Sequence, residues 1–115
     1  MHDARVGAAV LAAPGFPYAF ELQEIATIDI PIQLWVAEHD DRVPAETLVH
    51  LQEIRPEGFE FHTVQNAGHF VFLPPCDFSL KLCSDPEGFD RKAFHVEFND
   101  AVVSFFKRKL VSAAP

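Results

Sequence analysis

The chain has 115 residues, 49% of them hydrophobic, which is enough for the core of one small domain. Nine Lys and Arg residues against 17 Asp and Glu residues give a net charge of −8, so the sequence offers no basic surface for nucleic acid. No apolar run reaches the roughly 20 residues that cross a bilayer, and no signal peptide begins the sequence. We expect a soluble chain, cytoplasmic as written, with neither nucleic acid nor a membrane as partner, while exported relatives stay open.

Three short segments predict β-strands. Residues 5–14 form a nearly continuous apolar run that stops at Pro14, as in a strand buried on both faces. Residues 30–40 form a second apolar run, with Pro31 near its start, where a missing N–H matters least. Residues 59–64 alternate between apolar and polar, which is typical of an edge or half-covered strand.

Helical patterns lie between these strands. Residues 20–28 can form a short helix. Residues 44–54 begin with Pro44 at a favourable first helical position and place three apolar residues on one side: Leu48, Leu51 and Ile54. An alternation of strand and helix predicts an α/β fold with three layers, in which about three parallel strands are flanked by helices.

Residues 90–110 predict a long C-terminal helix. Asp90 can cap its start, and the basic run 107–109 suits the negative end of the helix dipole. The apolar residues at helical spacing predict a face that packs on the core: Phe94, Phe98, Ala101, Val102, Phe105 and Leu110.

Residues 66–89 form a long connection whose sequence has neither a helix nor a strand pattern. Its many apolar side chains argue against disorder, so we expect an ordered loop over one end of the sheet. Cys76 and Cys83, the only cysteines, lie in this loop. They are either two free thiols or a disulfide that closes a short loop, and the sequence leaves both open.

Two loops carry residues suited to chemistry. In a parallel α/β sheet the ligand site lies at the carboxyl ends of the strands, where the second strand is followed by Asp40 and the third by His69. The 29 residues between them fit one helix and one returning strand, so the two loops emerge side by side. A carboxylate there can orient an imidazole that acts as a general base. Alternatively, His69 bonds a nearby carbonyl and Asp40 only caps the helix at Pro44.

The neighbours of His69 suggest how it is placed. Gly68 would give the backbone freedom for a sharp turn, and Phe70, Phe72 and Leu73 would keep water away. A metal site built from His39, Asp40 and His69 lacks any recognised ligand spacing, so we expect no metal and no cofactor.

Two motifs resemble those of the α/β-hydrolase superfamily. The segment "IPIQLWVAEHDDRVPAE" resembles its acid segment, and "VQNAGHFVFLPP" resembles its histidine segment. Together with the run through the final helix, they are similar to the C-terminal portion of bacterial proteins classed as predicted dienelactone hydrolases, which are related to platelet-activating-factor acetylhydrolases. The resemblance covers essentially the whole chain.

The resemblance implies roles for particular residues. Asp40 would be the acid of a catalytic triad, with Asp41 as the fallback, and His69 would be the general base. The three strands would be the last three of an eight-stranded sheet. The aromatic residues that would line the substrate pocket, if they do not simply pack under a loop, are Phe16, Tyr18 and Phe20, together with Phe70 beside the histidine.

The nucleophile motif of that superfamily, Gly-x-Ser-x-Gly, is missing, and none of the four serines is flanked by glycines. We therefore expect residues 1–115 to form a single partial domain, truncated before its nucleophile and inactive alone. It would belong to a carboxylic ester or lactone hydrolase and act on a small-molecule substrate. The open edge of the first strand predicts self-association or an N-terminal partner segment. The alternative is a non-catalytic α/β remnant or dimerising module.

Overall fold

The structure is a computed structural model that describes residues 4–14, 27–54, 57–77 and 80–111, apart from the side chains of Thr47, Ile54 and Val111. None of the described helices is long and apolar enough to cross a bilayer. The elements, in chain order, are β1 (Ala9–Ala12), β2 (Ile32–Ala37), α1 (Ala45–Ile54), β3 (Phe59–Val64), a first 3-10 helix (His69–Phe72), a second 3-10 helix (Lys81–Cys83), α2 (Arg91–Phe106) and a π-helical turn (Lys107–Val111).

The three strands form one parallel sheet in the order β1-β2-β3, which confirms the α/β prediction. The central strand β2 is buried along its whole length because it has a neighbour on each side. β1 is shorter than predicted, with four residues, and each is only partly buried. The expectation of a strand buried on both faces is therefore wrong for the described residues, because β1 lies at the edge of the sheet.

Alternate residues of β2 point to two separate cores. On one face, Ile32, Leu34 and Val36 pack with Leu48 and Leu51 of α1. Every second residue of β2 thus packs against the apolar side of α1 that the sequence predicted. Burying each of these aliphatic side chains contributes about 1.5 to 3 kcal/mol to stability before the entropy cost.

The opposite face of β2 packs against α2. Trp35 lies edge-on to Phe94 and Phe98, with ring centroids 6.0 and 4.9 Å away. Asp90 caps α2 by accepting a 3.0 Å hydrogen bond from the Ala93 N–H, as predicted. Leu110, in the π-helical turn, is 47% exposed and lies outside this core. One helix on each face gives the three layers that the sequence predicted.

Two predictions concern connections. Most of the helix expected over 20–28 falls outside the described residues, and residues 27–28 are not helical. The long loop after β3 contains both 3-10 helices, so its described parts are ordered, as expected. The first of these helices begins at His69 and buries Val71 in the core under α2.

Candidate active site

The loops after β2 and β3 are joined beyond the end of the sheet. The Glu38 N–H donates to the Val64 carbonyl at 3.0 Å, and the His39 N–H donates to the Ala67 carbonyl at 2.8 Å. These bonds prolong the parallel pairing of the two strands by several residues. They bring the loop that carries Asp40 beside the loop that carries His69.

Asp40 lies at the centre of the candidate site. Its Oδ2 atom is 2.8 Å from Nδ1 of His69, and its Oδ1 atom accepts backbone hydrogen bonds from Arg42 and Val43, both of 2.8 Å. Its side chain is only 1% exposed. Asp40 therefore fixes the turn that leads into α1 and contacts the imidazole as well, so the two roles weighed from the sequence coexist.

His69 has one ring nitrogen engaged and one open. An ionised carboxylate can only accept, so the contact with Asp40 places the Nδ1 proton between them and leaves a lone pair on Nε2 of the neutral ring. Among the described residues, Nε2 has no hydrogen-bond partner, and the side chain is 24% exposed. The arrangement can accept a proton at Nε2 while Asp40 stabilises the resulting imidazolium.

Asn66 provides the turn that was expected from Gly68. Gly68 has φ −94° and ψ 176°, which any residue adopts, and a Cβ added there would meet Pro86 Cδ at 3.8 Å, an ordinary contact. Asn66 instead has φ 56°, its N–H donates to Glu38 Oε1 at 2.9 Å, and its Nδ2 donates to the Glu87 carbonyl at 3.0 Å. The prediction for Gly68 was wrong; the known tolerance of Asn for the left-handed region was the signal that sequence reasoning missed.

The aromatic residues near the histidine divide into two groups. Phe70 lies edge-on to His69, with centroids 5.2 Å apart, and the Arg42 guanidinium lies 5.0 Å above the Phe70 ring. Phe72 instead packs into the core against Phe94, and Leu73 is exposed. Of the three expected shielding residues, only Phe70 therefore contacts the imidazole. Phe16, Tyr18 and Phe20 lie outside the described residues.

The remaining candidates for chemistry lie apart from His69. Asp41 is exposed, and it is Asp40 that contacts the imidazole. His39 contacts Glu38 at 3.2 Å, and within the described part of the chain no three His, Cys, Asp or Glu residues form a group that could hold a metal ion. Ser84 bonds the Leu80 carbonyl at 3.4 Å, and Ser104 is exposed on α2. Ser79 and Ser112 lie outside the described residues.

Arg91 anchors the loop that follows the histidine, a role that sequence reasoning missed. Its buried guanidinium bonds both carboxylate oxygens of Asp85, at 2.6 to 3.2 Å, and donates to the Leu82 carbonyl at 2.9 Å. Nearby, Cys76 and Cys83 form a disulfide with an S–S distance of 2.01 Å. The Arg91 hydrogen bonds and the disulfide both hold the second 3-10 helix. That helix packs against the first 3-10 helix.

Another carboxylate–imidazole contact, which sequence reasoning also missed, lies on β3 at one edge of the described sheet. Glu60 on β3 accepts hydrogen bonds from His62 at 3.0 Å, from Arg108 at 2.7 Å and from the fully buried Gln33. Burial alone raises the pKa of Glu60, but these three hydrogen bonds and the Arg108 charge outweigh it and lower the pKa from 4.5 to about 2. Glu60, His62, Gln33 and Arg108 therefore form one polar network beneath α2.

Comparison with known proteins relates the chain to esterases. No family model matches it. It is similar to the carboxylesterase YbfK of Bacillus subtilis (strain 168), with 32% identity over 59 residues. The match covers 51% of this chain and 20% of that protein, so the chain corresponds to a minor part of the relative's length. The similarity indicates a relationship to esterase-type hydrolases without identifying a family.

Proposed function

We propose that the chain is the C-terminal part of a serine-type carboxylic ester or lactone hydrolase of the dienelactone-hydrolase kind, in which His69 is the general base and Asp40 its orienting acid. One observation carries the proposal: a buried carboxylate, held by two backbone N–H groups, bonds Nδ1 of a half-buried imidazole whose Nε2 is open. The partial similarity to a carboxylesterase supports the same reaction class.

The chemistry follows from that geometry. Nε2 of His69 takes the proton of a serine hydroxyl as its oxygen attacks the carbonyl carbon of an ester or lactone. The imidazolium then gives the proton to the leaving alkoxide, and the cycle repeats with water to release the acid. The Asp40 carboxylate stabilises the imidazolium through its contact with Nδ1, and the backbone N–H groups bonded to its Oδ1 hold it in that position.

The nucleophile of this mechanism is a serine outside the described residues. Neither Ser84 nor Ser104 bonds His69, and the Gly-x-Ser-x-Gly turn that presents such a serine is absent from the sequence. In our proposal a preceding segment carries that turn and the oxyanion donors. It would add a strand to the outer edge of β1, which has no partner strand among the described residues.

Labelling with a fluorophosphonate probe tests the proposal. The isolated chain should neither be labelled nor cleave a p-nitrophenyl ester. Co-expressed with the polypeptide encoded upstream of Met1, if that polypeptide contains Gly-x-Ser-x-Gly, it should form a labelled and active hydrolase. His69→Ala should lower kcat/KM of the assembled enzyme by at least about 1,000-fold, since the proton acceptor is lost.

His50→Ala is the matched control, because His50 is exposed on α1, away from His69 in the sequence, and its ring contacts the exposed Glu53 at 3.2 Å. It should leave the activity within about twofold, as expected for a surface substitution. Equal losses in the two variants would contradict the base role of His69. A locus without any such serine motif would favour the non-catalytic module, and esterase activity of the isolated chain would place the nucleophile within it.

A further inference from the structure

The described part of the loop between the first 3-10 helix and α2 has little core packing and is held mainly by cross-links. Three of its leucines are exposed: Leu73 at 42%, Leu80 at 55% and Leu82 at 43%. Between Val71 and Arg91, the described residues that pack against the core are Phe72 and Phe89, and both are only partly buried. Segments with little apolar burial open locally at low cost, so the links contribute to the order of this loop.

Those links are of two chemical kinds. The Arg91–Asp85 ion pair is buried and bidentate, and it contains no group that a reductant alters. The Cys76–Cys83 disulfide is covalent but can be opened by reduction. Of the two links, the disulfide is therefore the one that responds to redox conditions.

The disulfide can be reached from solvent. Both cysteines are partly exposed and line an open groove of about 320 Å³, together with Asp77 and Lys92. A thiolate must approach a disulfide along the S–S axis to displace one sulfur, so an open groove at the bond permits the reaction.

The disulfide is also connected to the proposed base through the contact between the two 3-10 helices. Cys83 ends the second 3-10 helix, which packs against the first 3-10 helix, and that helix begins at His69. This contact is a physical route from the disulfide to the backbone that carries the imidazole. The first helix is also anchored by Val71, which is buried in the core, and by the 2.8 Å hydrogen bond from His95 Nε2 to the Val71 carbonyl.

We propose that the Cys76–Cys83 disulfide is a redox-controlled brace that keeps His69 oriented on Asp40. A dithiol reductant supplies the electrons: one thiolate attacks a cysteine sulfur and displaces the other as a thiolate. The second thiol of the reductant then resolves the mixed disulfide. The products are two cysteine thiols and the oxidised dithiol. The proposal rests on the proposed function of His69, although its test requires no esterase activity.

Hydrogen–deuterium exchange on the whole chain tests the brace. Reduction with dithiothreitol should speed amide exchange in residues 69–73 at least about tenfold, because the loop loses its covalent closure. Exchange in β2 and in α2 should change less than about twofold. In the ¹H–¹⁵N NMR spectrum, the His69 ring should pass from a single Nδ1–H tautomer to a mixture of tautomers on reduction.

Two variants make the result decisive. The double variant Cys76→Ser/Cys83→Ser should show fast exchange in residues 69–73 with or without dithiothreitol. Arg91→Lys, which removes the bidentate clamp but keeps the disulfide, should still respond to the reductant. Equal exchange and an unchanged His69 tautomer in both redox states would overturn the proposal. So would two free thiols in air-oxidised protein, or faster exchange throughout β2, which would give the disulfide a global role.

Discussion

Among the described residues, four histidines contact a carboxylate, and two of these contacts are partly buried hydrogen bonds: Asp40–His69 and Glu60–His62. The first belongs to the candidate active site and the second to a structural network. Asp40–His69, at 2.8 Å, lies beyond the carboxyl ends of β2 and β3. Glu60–His62, at 3.0 Å, lies within the strand β3 and under α2. Distance alone does not distinguish the two pairs, so the difference lies in what else each group contacts.

The partners of the two carboxylates differ in charge. Asp40 is 1% exposed, and its partners among the described residues, besides His69, are neutral backbone N–H groups, so its negative charge is left to act on the imidazole. Glu60 is 28% exposed and already pairs with the Arg108 guanidinium and the Gln33 amide. A carboxylate whose charge is neutralised by an arginine stabilises an imidazolium less.

The two histidines differ in the same way. Besides Asp40, His69 contacts the edge-on ring of Phe70, and its Nε2 has no hydrogen-bond partner among the described residues. It lies at the end of the sheet, where a substrate can approach. His62 is stacked on Trp35, with centroids 4.3 Å apart and planes 12° from parallel, and its Nε2 is used by Glu60. An imidazole with an uncompensated acid at one nitrogen and space at the other is therefore the better candidate for a base.

The largest expected effect contrasts the two acids in the hydrolase assembled with its nucleophile segment. Asp40→Asn should lower kcat by about 10³- to 10⁴-fold, because an amide no longer selects the Nδ1–H tautomer or stabilises the imidazolium. Glu60→Gln should leave kcat within about threefold. In the isolated chain, NMR of the ring nitrogens should show that Asp40→Asn changes the tautomer of His69 only. Similar kinetic losses in both variants would abolish the distinction.

The sequence was sufficient to place Asp40 and His69 together because their positions follow from local rules. Strands of period two, an intervening helix of known length and parallel pairing bring consecutive strand ends to one side of the sheet. The Glu60 network follows no such rule. Gln33 reads as one polar residue in an apolar strand, and its partners Glu60 and the Ala101 carbonyl are 27 and 68 residues away. Only the packed fold brings them together.

The second expected effect is a dependence of folding stability on pH that arises from Glu60. The folded-state pKa of Glu60, about 2, is below the usual 4.5, so its ionised form stabilises the fold above pH 4.5. This stabilisation should be lost as pH falls from about 4.5 to about 2. The pKa difference corresponds to about 3 to 4 kcal/mol, which solvent screening of the partly exposed carboxylate reduces to about 2 to 3 kcal/mol. Urea unfolding at several pH values should show the difference between wild type and Glu60→Gln shrinking over that window. A difference that stays constant with pH would contradict the lowered pKa.

The smallest expected effect concerns the turn that presents His69. Sequence reasoning assigned the special backbone conformation to Gly68 because glycine is the usual residue for it, whereas the structure assigns it to Asn66, at φ 56°. Gly68→Ala should therefore leave the free energy of unfolding within about 0.5 kcal/mol or raise it slightly, since alanine loses less chain entropy on folding. Asn66→Ala should lower it by about 1 to 2 kcal/mol, through left-handed strain and the lost bond to the Glu87 carbonyl. Urea unfolding of both variants checks this. A larger loss of unfolding free energy in Gly68→Ala than in Asn66→Ala would contradict the assignment of the special backbone conformation to Asn66. Because Asn66 also bonds Glu38 through its N–H, which alanine retains, the variant tests the conformation without uncoupling the two loops.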